Sequence, residues 1–217
     1  MKRHYYIIVD SETTRRQTVA DFGAVVVGRD GRIVEQFGAL VFGHFGKFDL
    51  FADPALPDSA FWSEQSTKRR MKNYHAMIDS GERSISSPAL IQQWLWGVNQ
   101  RYQPTLTAYN LVFDFGKCQN TRINLGIFSQ SFCLMKAAKK VIGIRADYQQ
   151  FCYDQDLLTK KMRKPQMTAD AMAKFILGDD LADEPHTALE DARDYERAIL
   201  AHLLKSLTRQ QILELGQ

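Results

Sequence analysis

The chain has 217 residues, 45% hydrophobic and 24% charged, which suits one globular α/β domain with enough residues for a real core. A net charge of +3 and a pI near 8.7 permit an anionic partner without requiring one. Three cysteines, Cys118, Cys133 and Cys152, form no CxxC spacing, which argues against a disulfide framework and a zinc site and fits a reducing cytoplasm.

The apolar run Tyr5 to Val9 is too short for the core of a signal peptide, and no window reaches membrane-spanning length. The expectation is a soluble, cytoplasmic protein with no membrane partner. Residues 4 to 10, 19 to 28 and 32 to 42 are rich in Val, Ile, Phe and Tyr and read as three antiparallel strands. Asp30-Gly31 supplies the hairpin between the last two. After Phe42 the pattern breaks into GHFGKFDLFADPALPDSAFW, an inserted loop or hairpin over about residues 43–66. Its Phe45, Phe48, Phe51, Phe61 and Trp62 serve either as a stacking surface or as satellite core.

A helical pattern from Ser66 to Ser80 carries Met71, Tyr74, Met77 and Ile78 and ends at Gly81. Another starts after Ser87, with Pro88 in its first turn and Ile91, Trp94, Leu95 and Val98 on one face. TLTAY, residues 105–109, reads as a buried strand, with Asn110 capping a helix that presents Leu111, Phe115 and Cys118. IFSQSFCLM holds a further strand or strand–helix junction. MTADAMAKFILG is a helix between Thr168 and Gly178. In the last long helix Thr187 and Glu190 form a T-x-x-E capping box, and Ala192, Tyr195, Ile199 and Leu203 make the buried stripe. There is no internal repeat or linker, so residues 1–217 read as a single domain.

Asp10 and Glu12 sit two positions apart at the end of the first strand. Side chains at that spacing share a face, roughly 6 to 7 Å apart at about 3.3 Å rise per residue. Like charges so close repel and lose hydration unless a cation lies between them, and Mg²⁺ or Mn²⁺ prefers carboxylate oxygen. The alternative is a solvated strand end. Asp114 and Asp191 each fall in the first turn of a helix, where they either join Asp10 or simply complement the helix dipole. His186, in the loop before Asp191, stands where an imidazole can accept a proton from water. His4, His44, His75 and His202 read as surface or packing residues.

These residues resemble the DEDDh 3′→5′ exonucleases, the proofreading-exonuclease-like (DnaQ-like) branch of the ribonuclease H-like superfamily. DSETT matches the first motif through Asp10 and Glu12, AYNLVFD the second through Asn110 and Asp114, and HTALEDA the third through His186 and Asp191. The order and the secondary-structure settings agree. The resemblance implies a mixed five-stranded sheet of order 3-2-1-4-5, strand 2 antiparallel, flanked by helices. It implies two divalent cations, Mg²⁺ or Mn²⁺, held by Asp10, Glu12, Asp114 and Asp191, with His186 as general base. The implied reaction is release of 5′-nucleoside monophosphates from a free 3′ end of DNA or RNA, single-stranded by preference, and a homodimer is common among relatives.

Many relatives follow the first motif with Gly and an apolar wedge, where this chain has Arg15 and Arg16. These two, with Thr13 and Asn110, are the expected substrate contacts, the arginines through phosphate oxygens. KRRMK, residues 68–72, and Lys136, Lys139 and Lys140 are candidates to track a phosphate backbone. Three rivals stand beside this reading: a catalytically inactive nucleic-acid-binding module on the same fold, a ribonuclease H-like endonuclease, and the proofreading subunit of a polymerase.

Overall fold

The computed structural model describes residues 4–56 and 62–217. Strands β1 (Tyr5–Thr13), β2 (Val19–Gly28) and β3 (Ile33–Val41) form an antiparallel meander. Its β2–β3 turn places Gly31 at φ 77°, where a side chain would be strained. β4 (Ser84–Ser86) pairs parallel to β3, β5 (Thr105–Ala108) parallel to β1, and β6 (Ser131–Cys133) parallel to β5. The sheet order is β4-β3-β2-β1-β5-β6. The expected five strands and their order are therefore present, with β4 added beyond β3. Three residues, Ser-Ile-Ser, are too few to show alternation, which is why sequence reading misses it.

Two layers of helix cover the sheet because successive strand residues point to opposite faces. Tyr6 and Ile8 of β1, with Val25 and Val27 of β2, pack with Leu134 and Ala138 of α4 (Leu134–Val141), Tyr148 of α5 (Ala146–Asp154) and Met172 of α6 (Ala169–Leu177). Ile7, Val9, Phe22, Ala24 and Val26 pack on the other face against α2 (Pro88–Tyr102) and α3 (Leu111–Asn120). With both faces covered, β1 and β2 read as near-continuous apolar runs. A smaller cluster of Ala20, Leu40, Leu50 and Tyr74 seats α1 (Glu64–Asp79) beside them.

β1 runs on to Thr13, so Asp10 and Glu12 lie within the strand rather than at its end, opposite Gly23 and Asp21 of β2. The chain's last long helix also departs from expectation. It begins as α7 (Ala188–Glu190), widens into a π-helical stretch over Asp191–Glu196, and resumes as α8 (Arg197–Ser206), followed by α9 (Arg209–Leu215). The Arg197 amide bonds the Ala192 carbonyl, five residues back. In an unbroken α-helix, residues five apart sit about 140° apart around the axis; the wider turn brings Asp191 and Glu196 closer to one side. π-Bulges of this kind cluster at functional sites.

Candidate metal centre

The C-terminal ends of β1 and β5 point the same way, and the acidic side chains collect around them, near where open α/β sheets place their ligands. Glu12 comes from β1, and Asp114 from the first turn of α3, where the Ser11 hydroxyl donates to its Oδ1 at 2.7 Å. Asp191 opens the π-helical stretch, and His186 lies in the loop before α7. Ligand atoms of Glu12, His186 and Asp191 all lie within 4.8 Å of one another, a group that can hold a metal ion. His186 Nδ1 is 3.9 Å from Glu12 Oε1. Asp10 and Asp114 stand outside that tight trio, yet close enough for Asp10 to press electrostatically on Glu12, Asp114 and Asp191.

The segment carrying His186 and Asp191 is clamped onto the sheet. A side chain at Gly23 would overlap the backbone of Ala188, and one at Gly38 would overlap Arg83 and Leu189, so α7 lies directly on β2 and β3 only because both positions are glycine. Asp21 Oδ2 accepts from the Ala188 amide at 2.9 Å. Arg83, fully buried, reaches Asp21 at 3.4 Å and also Glu190. The expected capping box is therefore not made: Thr187 forms no side-chain cap, its hydroxyl is buried without a partner among the described residues, and Glu190 is drawn to Arg83. Asp21 caps the helix from another element, as sequence spacing cannot show. His186 itself has φ 54°, a left-handed backbone uncommon for a side-chain-bearing residue, and its carbonyl accepts from the Tyr74 hydroxyl at 3.4 Å.

Two further carboxylates join the cluster, neither singled out by any motif. Glu196 is buried on the π-helical stretch; the Tyr109 amide donates to its Oε1 at 3.3 Å. Glu184 lies two residues before His186. The repetition of like charge shows in the protonation of the site. Burial first, then the Asp21 charge, raises Asp10 from 3.8 to about 7, and burial with the Asp10 charge raises Glu184 from 4.5 to about 8. Burial and neighbouring acids push Glu12, Asp114, Asp191 and Glu196 well above the ordinary carboxylate range. His186 goes the other way, lowered to about 4 by burial and then by the Arg70 charge, so its imidazole is neutral at pH 7. Asp191 Oδ1 and Glu196 Oε2 are buried with no hydrogen-bond partner among the described residues. Unpartnered buried carboxyl oxygens beside a trio of ligand atoms fit a hard divalent cation, whose charge would favour their ionised form.

The expected substrate contacts divide. Thr13 is buried, and its carbonyl accepts from the Phe51 amide at 2.8 Å. Arg15 pairs with Glu64 at 2.8 Å, and the Arg16 guanidinium lies 5.8 Å from the Phe48 ring centre. Asn110 is exposed and makes no cap hydrogen bond, contrary to the expected cap. In KRRMK, Lys68, Arg69 and Lys72 are exposed, whereas Arg70 is buried and donates to Glu12 Oε2 at 3.3 Å. Lys136, Lys139 and Lys140 are exposed on α4. Of the aromatics after β3, Phe45 packs on Tyr74 as satellite core, with ring centres 5.5 Å apart. Phe51 meets Trp62 at 5.7 Å and Trp62 meets His186 at 5.4 Å, which brings that pair to the site. Phe61 lies outside the described residues.

No family model matches the chain, and no curated protein matches it. Solved structures do. A product-bound exonuclease I superposes with a TM-score of 0.58 at 14% identity over 97% of this chain. A zinc-bound complex of Escherichia coli exonuclease I with single-stranded DNA gives 0.57 at 12% over 98%, and an inhibitor complex of exonuclease I gives 0.58 at 13% over 98%. This chain spans 45% of the length of the product-bound exonuclease I chain. The shared fold is ribonuclease H-like: a mixed sheet flanked by helices.

Proposed function

We propose that this chain is a divalent-metal-dependent exonuclease that hydrolyses phosphodiester bonds at the 3′ end of nucleic acid and releases 5′-nucleoside monophosphates. The observation that carries the reading is the convergence of Asp10, Glu12, Asp114, His186 and Asp191, from three separated segments, at one end of the sheet. Asp10, Glu12, Asp114 and Asp191 would hold two Mg²⁺ or Mn²⁺ ions, which when bound neutralise developing charge and lower the pKa of a water nucleophile. His186, kept neutral by burial and by Arg70, accepts the proton of that water. Glu12, 3.9 Å from its Nδ1, stabilises the imidazolium that results. The single-stranded DNA held by the structurally similar exonuclease I supports a single-stranded substrate. Phe51 and Trp62 offer apolar surface beside the site, and Arg16 and Asn110 are the exposed candidates for phosphate and sugar.

The test uses 5′-labelled single-stranded DNA and RNA with Mg²⁺, Mn²⁺ or EDTA, and a circular single strand as control. The expected outcome is a metal-dependent ladder shortening from the 3′ end, intact circles, and loss of the ladder in His186→Ala by a factor on the order of 10² to 10⁴. Cut circles would mean an endonuclease, and Mn²⁺ binding with no degradation would mean a binding module.

A further inference from the structure

We propose that Arg70 of α1 is a positioning residue of this centre, setting the Glu12 carboxylate directly and the His186 ring through Trp62; the inference rests on the reading of the centre as a metal site. α1 is a mostly polar surface helix whose other basic residues in the KRRMK run are exposed, yet Arg70 is 6% exposed. Burying a guanidinium is costly unless partners meet it, and here both of its terminal nitrogens are met. One terminal guanidinium nitrogen, Nη1, donates to Glu12 Oε2 at 3.3 Å. The other terminal nitrogen, Nη2, donates to the Phe51 carbonyl at 3.1 Å and to Thr67 Oγ1 at 3.3 Å.

Those two anchors lie on separate stretches of chain, so the fork is aimed before Glu12 is reached. The guanidinium carbon also lies 4.8 Å from the centre of the Trp62 ring, whose centre is 5.4 Å from that of His186. His186 Nδ1 in turn faces the second oxygen of Glu12. Arg70, Trp62, His186 and Glu12 thus close a ring of contacts around one edge of the ligand trio. A planar fork with several fixed donors makes this arrangement, whereas a lysine ammonium on a flexible stem cannot reach all three acceptors at once. The charge also counts. Among the described residues, Arg70 is the one Lys or Arg side chain within ion-pair distance of the six site carboxylates.

The experiment measures Mn²⁺ binding by electron paramagnetic resonance, alongside kcat and KM on a labelled oligonucleotide, for the full chain and for Arg70→Met, Arg70→Lys and Trp62→Leu. Removing a partner that orients a metal ligand typically costs about 10- to 100-fold in affinity or activity. Arg70→Met should therefore bind Mn²⁺ about tenfold more weakly and lose about 10- to 100-fold in kcat, with KM within about threefold of the parent. Arg70→Lys should keep most of the defect, and it decides the question should the Met variant not fold. Trp62→Leu should lower kcat with Mn²⁺ affinity unchanged, because only the His186 side of the ring of contacts is loosened. Parental Mn²⁺ affinity and kcat in Arg70→Lys would overturn the proposal, leaving charge alone as Arg70's contribution. A raised KM at unchanged Mn²⁺ affinity would overturn it too, making Arg70 a substrate contact. If the parent degrades nothing, the exonuclease reading fails by itself. The Mn²⁺ titrations then judge Arg70: about a tenfold loss sustains the proposal and an unchanged affinity ends it.

Discussion

Two clusters of buried charge occupy neighbouring parts of the same sheet and are built in opposite ways. Under α7, Asp21 and Glu190 share Arg83, and Asp21 also takes the first free amide of the helix. Much of the negative charge there is compensated from within the chain: Arg83 and the Ala188 amide pull Asp21 down, although burial still leaves it at about 6. At the C-terminal ends of β1 and β5, Asp10, Glu12, Asp114, Glu184, Asp191 and Glu196 press on one another, and among the described residues Arg70 forms an ion pair with Glu12. A fold that needed only stability would not keep such a set. The first cluster fixes the position of His186 and Asp191; the second leaves a deficit of positive charge that a cation from solution can fill, the pattern of a site rather than of a scaffold.

The contrast can be broken most sharply at Asp191. Asp191→Asn replaces a carboxyl that the metal-free fold must either protonate or bear as a repelling charge, so at pH 8 the metal-free protein should melt higher than the parent, while nuclease activity falls on the order of a thousandfold, equivalent to several kcal/mol of lost charge stabilisation. Calorimetry and the ladder assay read the two effects, and a lower melting temperature would contradict the deficit. Arg83→Met should do the reverse to stability. It strands Asp21 and Glu190 and should cost about 3–5 kcal/mol, seen as a loss in a urea melt; a change near zero would show that the compensated cluster is dispensable.

Next in size is Gly23→Ala, whose new methyl group must displace Ala188. Overpacking of this kind costs about 1–3 kcal/mol, and because α7 carries the third motif, activity should fall with it. A variant as stable and active as the parent would show that the close approach of α7 to β2 is not required.

pH sharpens the comparison without mutation. Asp10 and Glu184 keep their protons to about pH 7 and 8 in the fold, whereas the unfolded chain releases them near pH 4. Between those values the folded state binds more protons, so stability falls as pH rises. The melting temperature of metal-free protein should therefore drop from pH 5 to pH 8, and Mg²⁺ or Mn²⁺ should raise it more at pH 8 than at pH 5. A flat profile would refute the raised carboxylates. The smallest effect is expected at Arg15, half-exposed and paired with an exposed Glu64. Arg15→Ala should leave the melting temperature unchanged, since such surface pairs contribute little.

Much of this architecture was legible in the order of residues. Apolar runs marked β1, β2, β3 and β5 and narrowed β6 to a strand or strand–helix junction, because a strand buried on both faces must be continuously apolar and the hairpin needs Gly31 at positive φ. The spacing of Asp10 and Glu12 on one strand face, and the helix starts before Asp114 and Asp191, are local properties that the chain states by itself. The capping box at Thr187 shows where local grammar stops. The T-x-x-E pattern is present, yet Arg83, more than a hundred positions away, draws Glu190 aside and Asp21 takes over the cap.

What the sequence determined alone was strands β1, β2, β3 and β5, the shared face of Asp10 and Glu12 and the three motifs. Tertiary structure decided the rest: that Arg70 turns inward while its neighbours stay in water, that a π-helical stretch brings Glu196 in beside Asp191, and that Gly23 and Gly38 let α7 lie against the sheet. The physical reason is that propensity and periodicity act through near neighbours. Compensation of buried charge acts through space, between residues that only the closed sheet brings together.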